Sequence, residues 1–334
     1  HPAHRSADGG FHREGSRAEA GSDDDAGGDR RQAEDQLPEK RPVVLAFGFF
    51  DGVHRGHQAV LQACLQLARE KKAMPVAVTF YPHPLTVLLP SASIQLLLSE
   101  SEKEELFKQM GFETTVVISP TEEFLGQSAG RFLQSLSRIT SLCGIVTGEN
   151  FTFGKNAEGN AELLNSYFLD KGVFIQIVKL EKAEGGVISS TRIRKCILQG
   201  DVKKAGYFLG RPYRICGDII HGFRRGTEVL GFPTANLKPE RERAVPGDGV
   251  YATRAFIRGR QYPSVTNVGT NPTFGNKERS IETFIFSFDE KIYDAPFALE
   301  WIEKIREEKQ FPDIEALRRQ IEEDIKRAKQ ILEV

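Results

Sequence analysis

From Val43 onward the spacing of apolar residues alternates between two patterns. Short unbroken apolar runs at residues 43–49, 75–80, 114–118, 143–147 and 173–180 predict strands covered on both faces. Between them, apolar positions three and four apart predict amphipathic helices over 56–70, 100–110, 121–137 and 157–170. Strand and helix in alternation imply an α/β layout, a parallel, doubly wound, Rossmann-like sheet whose ligands lie beyond the carboxyl ends of the strands. Past a short helix and linker at 201–211 the texture changes. Short strands dense in Gly and Pro at 213–220, 249–257, 262–268 and 281–288 predict an antiparallel β-barrel. A stripe of Ile314, Leu317, Ile321, Ile325, Ala328 and Leu332 predicts a helix over 313–332 that closes it.

This division sets the expected domains: a tail over 1–41, an α/β domain over 42–200, the linker, and a barrel domain over 212–334. The tail has almost no large apolar side chains and cannot offset its chain entropy, so it is expected to be disordered. Asp23-Asp24-Asp25 argues against a transit peptide there. The net charge of −1 excludes a surface that wraps a polyanion, so phosphate chemistry should be local and no nucleic-acid partner is expected. No run is long and apolar enough to span a bilayer, which gives no membrane partner. Cys64, Cys143, Cys196 and Cys216 stand far apart, a spacing that fits neither zinc nor a disulfide framework and points to a reduced, cytoplasmic setting.

The stretch 45–58 reads LAFGFFDGVHRGHQ: a strand, a glycine turn, then a helix start with His54 and His57 around its first turn. Free backbone N–H groups and the helix dipole make such a start a phosphate site. The same dipole disfavours a histidine cation there until an anion arrives. Ser189, Ser190 and Thr191 form a second capping cluster, at the start of a helix that continues through Arg192 and Arg194.

H-x-G-H followed much later by I-S-S-T-x-I-R (188–194) is the paired signature of nucleotidyltransferases. G-x-F-D-G-V-H-x-G-H resembles the adenylyltransferase half of bifunctional riboflavin kinase/FAD synthetases, and the resemblance runs from Val43 nearly to the C-terminus. It implies that riboflavin is phosphorylated to FMN and FMN is then adenylylated to FAD, with ATP as co-substrate. In the first half, His54 and His57 are the implied catalytic donors. Gly48, Phe50, Asp51, Gly56, Asn150, Ser189, Ser190, Thr191, Arg192 and Arg194 are placed by the nucleotide, and Phe80, Phe151 and Phe153 by the flavin. For Asp51, Phe151 and Phe153 a purely structural role weighs equally from the residues alone. Val187 stands where many relatives carry a basic residue.

In the second half, Gly231-Phe232-Pro233-Thr234-Ala235-Asn236 matches the G-x-P-T-A-N motif of riboflavin kinases. The match implies Thr234 and Asn236 as Mg²⁺ and phosphate ligands, with Gly231, Pro233, Gly222 and Gly226 close to ATP. Glu282 is implied as the base for the ribityl hydroxyl, and Arg306 as a flavin contact. Glu228 puts an acid into the phosphate loop. The competing readings are a kinase with an idle first module, and a flavin-binding regulator without catalysis.

Overall fold

The computed structural model describes residues 41–89, 91, 94–220, 234–240, 242–270, 279–288 and 296–334. The expected tail therefore lies almost wholly outside the described residues, as do Gly222, Gly226, Glu228, Gly231 and Pro233. The first half runs β1 (Val43–Phe47), α1 (Arg55–Lys71), β2 (Met74–Phe80), α2 (Pro84–Leu88), α3 (Glu100–Met110), β3 (Thr114–Ile118), α4 (Glu122–Gly126), α5 (Ala129–Ser137) and β4 (Leu142–Gly148). It continues with the ribbon β5 (Thr152–Phe153) and β6 (Gly159–Asn160), α6 (Ala161–Phe168), β7 (Phe174–Val178) and the ribbon β8 (Lys182–Ala183) and β9 (Gly186–Val187). Then come α7 (Ser190–Leu198) and α8 (Val202–Leu209).

The main sheet has the order β3-β2-β1-β4-β7, all parallel. β1 is its axis, and every one of its residues is buried because helices cover both faces. Val43, Leu45 and Phe47 enter the core that contains Phe132, Leu133 and Phe168, while Val44 and Ala46 enter the one that contains Leu61, Cys64 and Phe107. The side-chain period of two thus divides one apolar run between two cores. The strand order reverses between β1 and β4, so the crevice at their carboxyl ends is where a ligand belongs.

Two expected helices are shorter than their apolar patterns. The pattern over 121–137 is cut at Gln127, and Ser128 caps a new start by accepting the N–H of Arg131 at 3.3 Å. Helix α6 begins only at Ala161, where the Asn160 side chain accepts the N–H of Leu163 at 2.9 Å. Capping side chains decide both boundaries.

The second half comprises β10 (Tyr213–Ile220), β11 (Thr234–Pro239), β12 (Gly249–Ile257), β13 (Arg260–Thr270), β14 (Arg279–Ile285), β15 (Phe297–Arg306) and α9 (Ile314–Leu332). The six strands close in the order β10-β11-β14-β13-β12-β15. Strands β11 and β15 were not among the strands expected from the sequence. Helix α9 covers part of the outside, with Ala328 and Leu332 against Val250, Ala252, Val265 and Phe286.

The segment read as a short helix and linker is helical for most of its length. Val202, Ala205, Phe208 and Leu209 of α8 share one core with Ile193 and Ile197 of α7 and with Tyr213, Ile215, Leu299 and Trp301 of the barrel. Other ties cross between the halves. Arg243 pairs with Glu102 of α3 at 2.6 Å, with both side chains largely buried, and Leu96 bridges to Arg243 through backbone bonds.

Candidate active sites

After β1 the chain reaches α1 through a turn held in unusual backbone geometry. Phe50, Gly52 and Val53 have φ of 55°, 83° and 40°. For the β-branched Val53 this costs on the order of 1–3 kcal/mol and persists only because neighbours determine the turn. The buried Asp51 carboxylate accepts the N–H groups of Leu97 at 2.9 Å and Leu98 at 3.3 Å and pairs with Arg194 at 2.9 Å. Ser190 donates to the Asp51 carbonyl at 2.9 Å. Arg211 donates to the carbonyls of Gly52 at 2.7 Å and Val53 at 3.1 Å, and Gln58 to those of Val53 and Leu209, each at 2.8 Å.

His54 caps α1. Its Nδ1 accepts the N–H of His57 at 3.3 Å, an arrangement that assigns the proton to Nε2. The two rings stack at 3.6 Å and 17°. A Cβ at Gly56 would come within 3.2 Å of the His54 ring, so glycine gives that ring its place. Burial pushes His54 down to about 4, aided by the Arg211 charge. Burial holds His57 well below its usual value, and any charge on His54 or Lys103 would lower it further. Both rings are therefore neutral hydrogen-bond donors near neutrality, and His57 Nδ1 is buried with no partner among the described residues.

Further basic side chains lie close by. Lys103 is buried, donates to the Phe49 carbonyl at 3.1 Å and the Thr79 hydroxyl at 3.2 Å, and sits 4.6 Å over the Phe49 ring. Desolvation lowers it to about 8. His83, at the start of α2, packs edge-on against Phe49 at 4.1 Å, and burial lowers its basicity too.

The helix start at α7 stands beside this turn. Ser189 caps it by accepting the N–H of Arg192 at 3.3 Å, and Thr191 is exposed. Arg194 is held by Asp51 and keeps a buried Nε with no partner among the described residues. Arg192 is engaged elsewhere. Its guanidinium donates to the carbonyls of Ala183, Glu184 and Gly186 at 2.8–3.1 Å and lies 4.4 Å over Phe208, bracing the β8–β9 ribbon.

Aromatic rings gather at the ends of β2 and β4. Phe80 meets Phe124, Phe124 meets Phe132, and Phe132 meets both Phe47 and Phe153, at centroid distances of 4.8–6.3 Å. Phe151 joins Phe47 and Phe153. Phe153 is core; Phe80 and Phe151 are half-buried and keep surface toward the crevice end of the sheet. Asn150 is exposed in the turn after β4, and its Oδ1 would be 2.9 Å from a Cβ placed on Gly148, a crowding that favours glycine there.

In the barrel, strand register assembles the second site. Asn236 lies opposite Glu282, Glu282 opposite Asn267, Asn267 opposite Val250, and Val250 opposite Arg306. Opposed residues of antiparallel strands share a face. The neighbours Ala235, Leu237, Ile281 and Val268 fill the barrel interior, so this row lies on its outer face. Thr234 begins the adjacent row, opposite Phe284. Asn236 is buried, and its Nδ2 has no partner among the described residues. Arg306 ends the row, but its guanidinium is gripped by Asp324 of α9 at 2.8–3.1 Å and donates to the Glu307 carbonyl. It ties the helix to the barrel.

Sequence reasoning passed over Lys103, Arg211 and Gln58. Lys103 lies in a charged run that reads as a solvated face, and the available signal was Phe107, four residues on, which puts Lys103 on the buried side of α3.

Comparison with known proteins is consistent across the chain. A model of FAD synthetase matches residues 36–192, and a model of riboflavin kinase matches 209–332. A bifunctional riboflavin kinase/FMN adenylyltransferase from Bacillus subtilis is 37% identical over 86% of this chain and 91% of its own. One from Escherichia coli K12 is 31% identical over 84% and 90%. A crystal structure described as a macrolide-efflux protein from Streptococcus pneumoniae superposes with a TM-score of 0.82, at 32% identity, over 89% of this chain and 96% of that one. Among the described residues no helix is long and apolar enough to cross a membrane. With both models side by side and full-length relatives at this identity, the chain belongs to the family of bifunctional riboflavin kinase/FMN adenylyltransferases.

Proposed function

We propose that this chain converts riboflavin to FMN and FMN to FAD, using ATP twice, at two separate sites. The observation that supports this reading is that one chain carries two unlike clusters suited to phosphate: a neutral stacked histidine pair at a helix start, and a carboxylate aligned with two amides on a barrel face.

In the first site, a phosphate oxygen of FMN attacks the α-phosphorus of ATP and the bond to pyrophosphate breaks. No protein nucleophile is required, only alignment and donors for the charge that develops. His54 Nε2–H and His57 supply donors without like-charge repulsion between them. Arg194 and Lys103 add positive potential, and the start of α7 offers Ser189, Ser190 and Thr191. Phe80 and Phe151 wall the flavin. Arg192 has no part in phosphate binding in this reading, and Asp51 acts by fixing the turn.

In the second site, Glu282 takes the proton of the ribityl hydroxyl as its oxygen attacks the γ-phosphorus and ADP leaves. The Thr234 hydroxyl, the Asn236 Oδ1 and a nearby carboxylate are hard oxygen ligands that suit Mg²⁺, and the orphaned Asn236 Nδ2 is a donor that suits a phosphate oxygen. Thr234 and Asn236 would hold the ion, which when bound neutralises charge on the phosphates. Four free cysteines fit a reducing compartment.

The test is chromatography of flavins after incubation with riboflavin, ATP and Mg²⁺. FMN and FAD are expected from the wild type, and FMN alone from His57→Asn, because losing a preorganised donor costs about 3–4 kcal/mol of barrier. FMN alone from the wild type would leave only the kinase, and unchanged riboflavin would leave neither activity.

A further inference from the structure

The turn that presents His54 carries three residues at positive φ, and part of what holds it comes from far along the chain. Arg211 follows α8, within the stretch matched by the riboflavin kinase model and outside the one matched by FAD synthetase. Its guanidinium is half-buried, with no carboxylate within ion-pair distance among the described residues. Burial brings it down to about 10, so this site pays for keeping a cation. What Arg211 does there is donate, through Nη2 to Gly52 O at 2.7 Å and through Nη1 to Val53 O at 3.1 Å and Leu209 O at 3.3 Å.

Those two turn carbonyls belong to the residues just ahead of His54, and Val53 is the more strained of the two because it is β-branched. A planar fork of donors suits two successive carbonyls better than an ammonium, which offers its protons from one point. Gln58 repeats the link by donating to Val53 O and Leu209 O. Relaxing the turn would move the His54 ring and with it the N–H of His57 that the ring accepts.

We propose that Arg211, in the connection between α8 and the barrel, is a positioning residue for adenylyl transfer: it clamps the Gly52–Val53 carbonyls so that His54, His57 and the start of α1 meet the reacting phosphates in register. FAD formation then depends on the connection into the barrel for geometry, apart from the kinase half's supply of FMN. The inference rests on reading the His54 turn as the adenylyl-transfer site.

The experiment uses the full chain with FMN and ATP supplied for one assay and riboflavin and ATP for the other. Wild type and His57→Asn test the underlying reading: if His57→Asn keeps full FAD formation, that reading fails before Arg211 is judged. Arg211→Met is expected to lower kcat for FAD formation about a hundredfold, the scale of a 1 Å misplacement, with the KM for FMN within a few-fold and FMN formation from riboflavin unchanged. Arg211→Lys keeps the charge and loses the fork, so it should recover only part of the loss. Normal FAD formation by Arg211→Met overturns the proposal. If Arg211→Met loses both activities together, Arg211→Lys decides: lowered FAD formation beside intact kinase activity supports the clamp, and equal change in both overturns it.

Discussion

Acid should destabilise this protein through the histidine pair, in a pH window set by His54. Its unfolded value is 6.5 and its folded value about 4. Above 6.5 both states are neutral and the residue contributes no pH dependence. As pH falls below 6.5 the unfolded chain binds a proton that the folded chain refuses, so stability falls, and the loss levels off below about 4. At pH 5 the unfolded ring is almost fully protonated and the folded one mostly neutral, which amounts to about 2 kcal/mol lost relative to neutral pH. His57, lowered in the same direction, adds to this. The assay is urea unfolding by circular dichroism at pH 7 and pH 5, in the wild type and in the double variant His54→Asn/His57→Asn. Asparagine keeps the helix cap and does not titrate. The variant should lose less stability between the two pH values. An equal loss in both proteins would refute buried neutral histidines as its source.

Glu282→Gln should stop phosphorylation of riboflavin while supplied FMN is still adenylylated, since the amide keeps the shape and accepts no proton; this is checked by the same flavin chromatography, and equal loss of both activities would count against a base. Asp324→Ala should leave Arg306 without its partner in a largely buried setting, at a cost of about 3 kcal/mol. The single tryptophan, Trp301, lies inside the barrel and reports this by its fluorescence, as a lower urea midpoint.

The first half was largely legible in the sequence because strands buried on both faces and one-sided helices leave unmistakable spacing. The expected range 114–118 coincides with β3, and 100–110 with α3. What escaped was set by single contacts. The apolar rhythm continues across Gln127 and Ser128, and only a capping hydroxyl cuts it. Strand β15 alternates Phe297, Leu299 and Trp301 inward, but Glu300, Glu303 and Lys304 dilute its apolar character. Motifs located His54, His57, Asn236 and Glu282, yet spacing could not tell which charged groups were already engaged. Arg192 and Arg306 looked free on paper, and in the fold their guanidinium groups are taken by Ala183, Glu184 and Gly186 and by Asp324. Lys103 escaped for the opposite reason, since a lysine among glutamates reads as exposed and only its spacing from Phe107 marks the buried side of α3.

The core shared by α7, α8 and the barrel bears on the order in which a nascent chain can mature. Helix α8 packs on β15, whose residues are synthesised roughly a hundred positions later, a delay on the order of 5–20 s at ordinary translation rates. Until β15 emerges, the apolar faces of Phe208, Leu209, Ile193 and Ile197 have no barrel to enter, and the α7 start that carries Ser189 and Ser190 lacks its backing. The sheet around β1 has all its strands once β7 is made, before any barrel strand exists. The half of the enzyme translated first therefore completes its site only after the barrel is made, and a ribosome stalled within the barrel would carry a folded sheet with an exposed apolar helical hairpin, a species suited to chaperone binding.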